Sequence, residues 1–252
     1  VIIAHFGTVF SGRETSVTSI EGIFQISDNY VELHNGDTFG KMKVKSMSSS
    51  EIRMENEDDI GLDKGKTIDL MGKIKLQIAD DSSLRFAPIL DISEPGTYEL
   101  RGTVYDKDKD GDSIPTWTPF NFEGFYYNID ENISTESLAI EGLDGRTIQD
   151  EALVYSTKPE NVKFEHEGWG SYEVVGFMAE KYFAGYPENT LGNSKGISVL
   201  SDRVLSKVLI DDNDKKSLFT GSSLALENGY SLKAAEVDVN GKSVLFPLTS
   251  TS

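Results

Sequence analysis

The sequence predicts a mainly β protein made of two antiparallel β-sandwich modules. Apolar and polar residues alternate along many short segments, which is the two-residue period of a half-buried strand. Gly, Asn and Asp separate most of these segments, and their spacing is nearly regular. Many short strands divided by turn residues are typical of antiparallel sandwiches.

The alternating segments predict strands through most of the chain. The first ten residues are interpreted as a buried strand. Further strands are predicted at Tyr30–Leu33, Lys41–Met47, Glu51–Glu55, Thr67–Ala79 and Thr97–Tyr105. Residues 177–183 and 200–209 fit either a helix or a strand, because short apolar runs do not resolve the period.

The clearest turn signal is Asn240-Gly241, near the end of the chain. Alternating apolar residues precede and follow this dipeptide. Both residues tolerate the positive φ angles of a type I′ turn, so the sequence predicts a β-hairpin here.

A boundary between two modules is predicted near residue 97. The sequence SEPG at 93–96 places a Pro and a Gly between two apolar strands, which is typical of a connection. We therefore expect one β-sandwich module at 1–97 and a second at 98–252. Both modules carry an excess of acidic residues.

The composition restricts the function more than any single motif does. The chain has 42 acidic and 24 basic residues, and its net charge of -18 repels nucleic acid and anionic lipid headgroups. We expect no nucleic-acid partner. No apolar run approaches the roughly 20 residues that a membrane helix needs, so we expect no membrane contact within this segment. The absence of Cys excludes thiolate catalysis and disulfides.

The sequence contains none of the common catalytic motifs. It lacks the nucleophile elbow, the zinc-protease helix, the Walker loop and the dinucleotide-binding glycines. Its three histidines, His5, His34 and His166, are scattered without ligand spacing. We expect no enzyme and no required cofactor, although a glycosidase carboxylate pair is defined in space and stays open.

The strongest candidate for ion binding is the sequence DKDKDGDS at 106–113. Asp106, Asp108, Asp110 and Asp112 alternate around a glycine, as at the start of a calcium loop, and Ca²⁺ prefers several oxygen ligands. The twelfth position of the loop is Trp117, which cannot supply the bidentate carboxylate of an EF-hand. Calcium binding by these four residues and a solvated hairpin tip are both open.

One N-glycosylation sequon is present, at Asn132-Ile133-Ser134, in a polar stretch. Asn132 is therefore a candidate site for a glycan, should the chain be exported.

Aromatic residues cluster at 117–127 and at 169–186. They predict either core and interface packing or a platform on which sugars stack. Neighbouring residues in Phe125-Tyr126-Tyr127 point to opposite sides of a strand, so at least one of them must leave the local core.

Two aromatic-acidic signatures resemble a known family. The first consists of YELRGTVYD at 98–106, Trp117 and NFEGFYYNID at 121–130. The second consists of WGSYEVVGFMAEKYFAGY at 169–186, followed by SKVLIDDNDKKSL and LENGYSLKAAEVDVNG. With HFGTVFSG, EGIFQISD, GDTFGKMKV and LRFAPI earlier in the chain, they resemble the tandemly duplicated domain of archaeal surface-layer (S-layer) proteins of the Methanosarcina type.

The resemblance covers most of the chain, and its register implies that the chain begins inside one repeat and ends inside the next. It implies a structural, extracellular protein of the cell surface and no reaction. Copies would self-associate into a porous, protective two-dimensional lattice with an acidic surface, in the manner of a cell-envelope glycoprotein. A secreted carbohydrate-binding or adhesin-like module is the alternative.

Overall fold

The computed structural model describes residues 1–11, 16–91, 99–238 and 243–250. Strands make up 55% of the chain, so the prediction of a mainly β protein is confirmed. Every strand pairing in the described residues is antiparallel. The described part contains one helical turn, Lys107–Asp110 (α1), and no helix long and apolar enough to cross a membrane.

The strands follow one another closely. The first twelve are Ile2–Phe6 (β1), Phe10–Ser11 (β2), Ser16–Glu32 (β3), Thr38–Phe39 (β4), Met42–Ser48 (β5), Glu51–Asn56 (β6), Ile60–Gly61 (β7), Thr67–Met71 (β8), Ile74–Ile78 (β9), Arg85–Asp91 (β10), Glu99–Arg101 (β11) and Tyr105–Asp106 (β12). The next nine are Tyr127–Asn128 (β13), Ile133–Ser134 (β14), Glu136–Ile140 (β15), Leu143–Asp144 (β16), Thr147–Ile148 (β17), Leu153–Thr157 (β18), Glu160–Lys163 (β19), Ser171–Phe177 (β20) and Glu180–Tyr186 (β21). The last eight are Ile197–Ser198 (β22), Val204–Asp212 (β23), Lys216–Phe219 (β24), Ser223–Ala225 (β25), Tyr230–Lys233 (β26), Glu236–Asp238 (β27), Ser243–Leu245 (β28) and Leu248–Ser250 (β29).

The described residues form seven sheets, of which three are larger. The large sheet has the order β1-β3-β23-β21-β20-β19, with β2 and β24 also on β3 and β22 on β21. The central sheet has the order β15-β18-β6-β5-β4, and the meander sheet has the order β11-β10-β9-β8 with β12 on β10. Four small sheets complete the fold: β13-β14, β16-β17-β7, β25-β26-β29 and β27-β28.

The predicted division at residue 97 does not coincide with the division into sheets. In the central sheet β6 pairs with β18, where Met54 lies opposite Tyr155. In the large sheet β3 pairs with β23, where Val31 lies opposite Leu205. Both sheets therefore combine strands from 1–97 and from 98–252. The two modules stay a prediction about the repeat in the sequence, and SEPG at 93–96 lies outside the described residues.

The core lies on both faces of the large sheet. In β20, Val175 and Phe177 point into a core cluster shared with the central and meander sheets. Tyr172 and Val174 point to the other face, into a second cluster that contains Phe24. Most positions of β20 are therefore apolar, and polar and apolar residues do not alternate along it, because both faces of the sheet are covered.

Some strand predictions need correction. Thr67–Ala79 is a hairpin of β8 and β9 and not one strand, because the chain reverses at Gly72, whose φ of +54° favours glycine. The first segment, β1, is an edge strand that pairs with β3, and its side chains are half-buried or exposed. The strands that flank Asn240-Gly241 pair with Asp238 opposite Ser243, but the turn itself lies outside the described residues.

Candidate functional site

The four aspartates proposed as calcium ligands lie in the helical turn α1 or next to it: Asp108 and Asp110 belong to the turn, Asp106 precedes it and Asp112 follows it. Asp106 caps the turn, and its Oδ1 accepts a hydrogen bond from the backbone N–H of Asp108 at 3.1 Å. Asp110 Oδ2 accepts a hydrogen bond from the backbone N–H of Asp106 at 2.8 Å. Two of the carboxylates therefore satisfy backbone donors at the start of the turn, as capping residues do.

Lysines from the same loop neutralise part of this acidic charge. Lys107 Nζ donates to Asp112 Oδ1 at 2.6 Å, and this contact lowers the pKa of Asp112. Lys109 Nζ lies 3.6 Å from Asp106 Oδ2. The hydroxyl of Tyr105 donates to the carbonyl oxygen of Gly111 at 2.7 Å and ties the loop to the sheet.

These contacts do not gather the carboxylates around one point. In residues 1–11, 16–91, 99–238 and 243–250, no group of three or more His, Asp or Glu side chains is arranged to hold a metal ion. Calcium binding at Asp106, Asp108, Asp110 and Asp112 stays a prediction, and it would require the lysine side chains to turn away.

We expect any rise in melting temperature on addition of calcium to originate in this loop. A ligand that binds the folded state stabilises it by mass action. The Asp108→Ala, Asp110→Ala double variant should therefore lose the rise in melting temperature, because it no longer binds calcium. Asp202→Ala, Asp214→Ala is the control with the same change in charge at another surface. Calorimetry with and without calcium tests this, and an equal rise in all three proteins would place the ion elsewhere.

Asn132 lies at the tip of the hairpin of β13 and β14. Its side chain is exposed, and its φ of +55° is the left-handed conformation that Asn tolerates. Its Oδ1 accepts a hydrogen bond from the hydroxyl of Tyr127 at 2.6 Å. The amide nitrogen, to which a glycan would be joined, is on an accessible turn.

The fold brings together two histidines that are far apart in the sequence. The rings of His5 and His166 stack with their centroids 4.3 Å apart, and Trp169 packs edge-on against His166 at 4.8 Å. His166 Nδ1 lies 3.1 Å from the carbonyl oxygen of Glu21. His34 lies apart from them, beside Glu32. The stacked pair joins strand β1 to the loop before β20, and only the tertiary fold reveals it.

Glu136 in β15 is a buried carboxylate that no pattern in the sequence indicates. Its side chain is 2% exposed. Its Oε2 accepts the backbone N–H of Tyr126 at 2.7 Å, and its Oε1 accepts the hydroxyl of Tyr155 at 2.7 Å and the backbone N–H of Ala179 at 2.9 Å. Burial raises the pKa of Glu136, because a charged carboxyl loses its hydration there.

Glu136 and its neighbours hold a strained turn between β20 and β21. Met178 and Ala179 have φ angles of +51° and +70°, which residues with a Cβ rarely adopt. The hydroxyl of Tyr155 accepts the N–H of Met178 at 3.0 Å, while Glu136 accepts the N–H of Ala179. Glu136 and Tyr155, two side chains of the central sheet, thus fix a turn of the large sheet. Their role is structural.

The aromatic residues of the two clusters are mostly in the core. Seven of them are buried: Trp117, Phe122, Phe125, Tyr172, Phe177, Tyr182 and Phe183. Tyr126 and Tyr127 are half-buried, in agreement with the expectation that at least one of the three neighbours leaves the core. Phe120 is 68% exposed and packs against Tyr127.

The fold and these sites define an acidic, antiparallel β-sheet protein, a class that serves many functions. The chain belongs to the S-layer protein family. The model of that family, described as S-layer protein, matches residues 1–80 and 106–251. The unmatched stretch between the two matches includes the predicted boundary at 97.

Relatives from three methanogens extend over nearly the whole chain. The major S-layer protein of Methanosarcina barkeri is 35% identical over 251 residues, which cover 97% of this chain and 35% of the relative. Those of Methanosarcina acetivorans and Methanosarcina mazei are 34% and 33% identical over 99% of this chain and 36% of each relative. The chain therefore spans about a third of the length of these relatives.

Proposed function

We propose that the chain is a structural part of an extracellular S-layer, in which copies associate into a porous, protective lattice on the cell surface. The observation that carries this proposal is the match to major S-layer proteins over 97% of the chain. The packing of the aromatic clusters into cores supports it. So does the use of buried polar groups, exemplified by Glu136, to join sheets rather than to line a cleft.

The alternative, a carbohydrate-binding module, gains less support. A cavity of about 280 Å³ beside the second core cluster, on the face of the large sheet that holds Phe24, has four aromatic residues in its wall: Phe24, Phe164, Phe183 and Tyr186. Its other lining residues are aliphatic, so it offers the hydroxyls of a sugar few hydrogen-bond partners.

The proposed location and arrangement can be tested on intact cells that produce the protein. Antibodies raised against the 252-residue chain, visualised with gold particles, should label the outer surface in a regular array. Antibodies against a cytosolic protein are the control, since they should label only broken cells. Labelling that appears only after cell lysis would contradict an S-layer role.

We further propose that the acidic charge acts at the openings of the lattice. With a net charge of -18 on each chain, a repeating lattice would have many carboxylates around its pores. Pores no wider than a few Debye lengths, about 8 Å each at physiological salt, would then carry a negative potential. Such openings admit cations and neutral nutrients and repel large polyanions.

A glycan on Asn132 is part of the same proposal, because export gives a sequon access to glycosylation. We expect mass spectrometry of the native protein to find added hexose mass on the peptide that contains Asn132. Ser134→Ala keeps the asparagine but breaks the sequon, and it should remove that mass as completely as Asn132→Gln. An unmodified peptide from the native protein would refute the assignment.

A further inference from the structure

A cavity of about 350 Å³ lies against the meander sheet. Two arginines line it, Arg85 of β10 and Arg101 of β11, together with the polar side chains of Thr67 and Gln77. Arg85 is paired with Asp81, whereas Arg101 brings an unpaired positive charge to the cavity in a chain whose net charge is -18.

Both arginines have donors that the described residues leave unused. The side chain of Arg101 is exposed and forms no ion pair or hydrogen bond within the described part of the chain. Arg85 pairs with Asp81 through Nη2, but its Nε is buried and has no hydrogen-bond partner among the described residues. A buried donor without a partner lowers the stability of the fold. A ligand that accepts a hydrogen bond from this donor, after the guanidinium group reorients, would restore the lost free energy.

The remaining lining restricts the chemistry of the ligand. Asp80 also lines the cavity, so a strongly charged polyanion would meet a carboxylate there. Val104, which is 41% exposed, supplies apolar surface. A single carboxylate on a short aliphatic stem fits both features, because the guanidinium fork binds a carboxylate through two hydrogen bonds.

We propose that this cavity binds a carboxylate group, which a second copy of the chain supplies in the assembled protein. The identity of the source rests on the proposed lattice. Two copies of net charge -18 repel each other, so contacts between them require places where a carboxylate of one copy meets an unpaired cation of the other. Arg101 is such a cation, the unused Nε donor of Arg85 lies in the same cavity, and Arg is a residue enriched at interfaces.

The first experiment tests the cavity on the isolated chain with glutarate as the probe. The Nε–Hε signals of Arg85 and Arg101 in nitrogen-15 NMR spectra should shift and saturate as glutarate is added. Arg53, which already pairs with Glu55 at 2.8 Å, is the internal control and should not respond. Arg101→Gln should abolish the saturable shift, whereas equal, unsaturable shifts of all three arginines would refute the cavity as a carboxylate site.

The second experiment tests the source of the carboxylate. Sedimentation of the intact chain at low salt and high concentration should show weak self-association. Arg101→Glu should weaken it by about tenfold, as expected for one lost charged hydrogen-bonding group. Lys195→Glu makes the same change in charge at an exposed lysine that has no ion pair in the described residues, and it should have a much smaller effect.

The outcomes separate the two parts of the proposal. Saturable glutarate binding together with loss of association in Arg101→Glu alone supports it. Glutarate binding with equal association in both variants overturns the second copy as the source and assigns the cavity to a free organic acid. Absence of glutarate binding overturns the site itself, while surface labelling of cells would still report on the S-layer role.

Discussion

Glu136→Ala is expected to lower the free energy of unfolding by about 3–5 kcal/mol, since it removes the acceptor from a buried network. The substitution leaves the N–H groups of Tyr126 and Ala179 without a partner, and it leaves the hydroxyl of Tyr155 only a long contact of 3.5 Å with the carbonyl oxygen of Gly176. Each buried donor without a partner costs about 1–3 kcal/mol. Part of this total cost is offset, because the variant no longer buries a carboxyl group. Urea unfolding measures this difference.

The turn at Met178 and Ala179 makes this loss larger than that of an ordinary polar contact. Residues with a Cβ keep positive φ angles only where their surroundings impose them. Without Glu136, the N–H of Ala179 has no acceptor, and the strain in the turn is no longer balanced. Glu173, on the neighbouring strand β20, is the control: it is half-buried and has no hydrogen bond from its side chain in the described residues, so Glu173→Ala should cost about 1 kcal/mol or less.

The pH dependence of Glu136→Gln distinguishes a buried charge from a general packing defect. The pKa of Glu136 is raised in the folded state, so the folded protein holds the proton more tightly than the unfolded chain. The contribution of this group to stability is therefore complete below its unfolded pKa near 4.5 and is lost as the pH rises through the folded value. Gln does not titrate, so the cost of Glu136→Gln should shrink as the pH rises from about 4 to about 7. A cost that stays constant over that range would contradict the assignment.

Much of the fold can be predicted from local sequence, and the successes have a physical reason. Alternation of polar and apolar residues reports that one face of a strand is buried, as at Lys41–Met47 and Glu51–Glu55, close to β5 and β6. The same signal fails where both faces are buried. Residues 177–183 are ambiguous because the apolar run at the end of β20 continues through the turn at Met178-Ala179, which has no glycine, before Glu180 and Lys181 begin β21.

The candidate sites divide in the same manner. The loop at Asp106 and the sequon at Asn132 are written in consecutive residues, so sequence reasoning finds them. Lys107 and Lys109 are also visible there as partial neutralisation of the loop, but the sequence does not show that backbone N–H groups bind the carboxylates of Asp106 and Asp110. Glu136 and the stacked pair of His5 and His166 depend on strands that are distant in the chain, so no local pattern indicates them.

The pairing of strands across residue 97 had no local signal either, yet one buried side chain depends on it. Asn56, at the end of β6, is fully buried. Its Nδ2 donates to the carbonyl oxygens of Asp58 at 2.8 Å and Gln149 at 2.7 Å, and its Oδ1 accepts the N–H of Leu153 at 2.7 Å. The hydrogen bonds to Gln149 and Leu153 join the two sides of the predicted boundary, and the hydrogen bond to Asp58 shapes the turn after β6.

Asn56→Asp is therefore expected to cost about 3 kcal/mol or more, although the side chain keeps its size. The introduced carboxylate still accepts from Leu153, but its second oxygen faces two carbonyl oxygens, and the unpaired buried charge is strongly unfavourable. Urea unfolding at neutral pH should show the loss. Part of it should be recovered at about pH 4, where protonation of the introduced carboxylate restores a donor.

Asn121→Asp is the matched control for this substitution. Asn121 makes the same kinds of contact, since Nδ2 donates to the carbonyl oxygen of Thr116 at 2.9 Å and Oδ1 accepts the N–H of Thr118 at 2.7 Å. It lies near the surface, where water can replace a lost partner and hydrate the new charge, so the expected cost is about 1 kcal/mol or less. Equal costs at the two positions would mean that Asn56 is also hydrated, and that strand pairing across residue 97 does not depend on this buried amide.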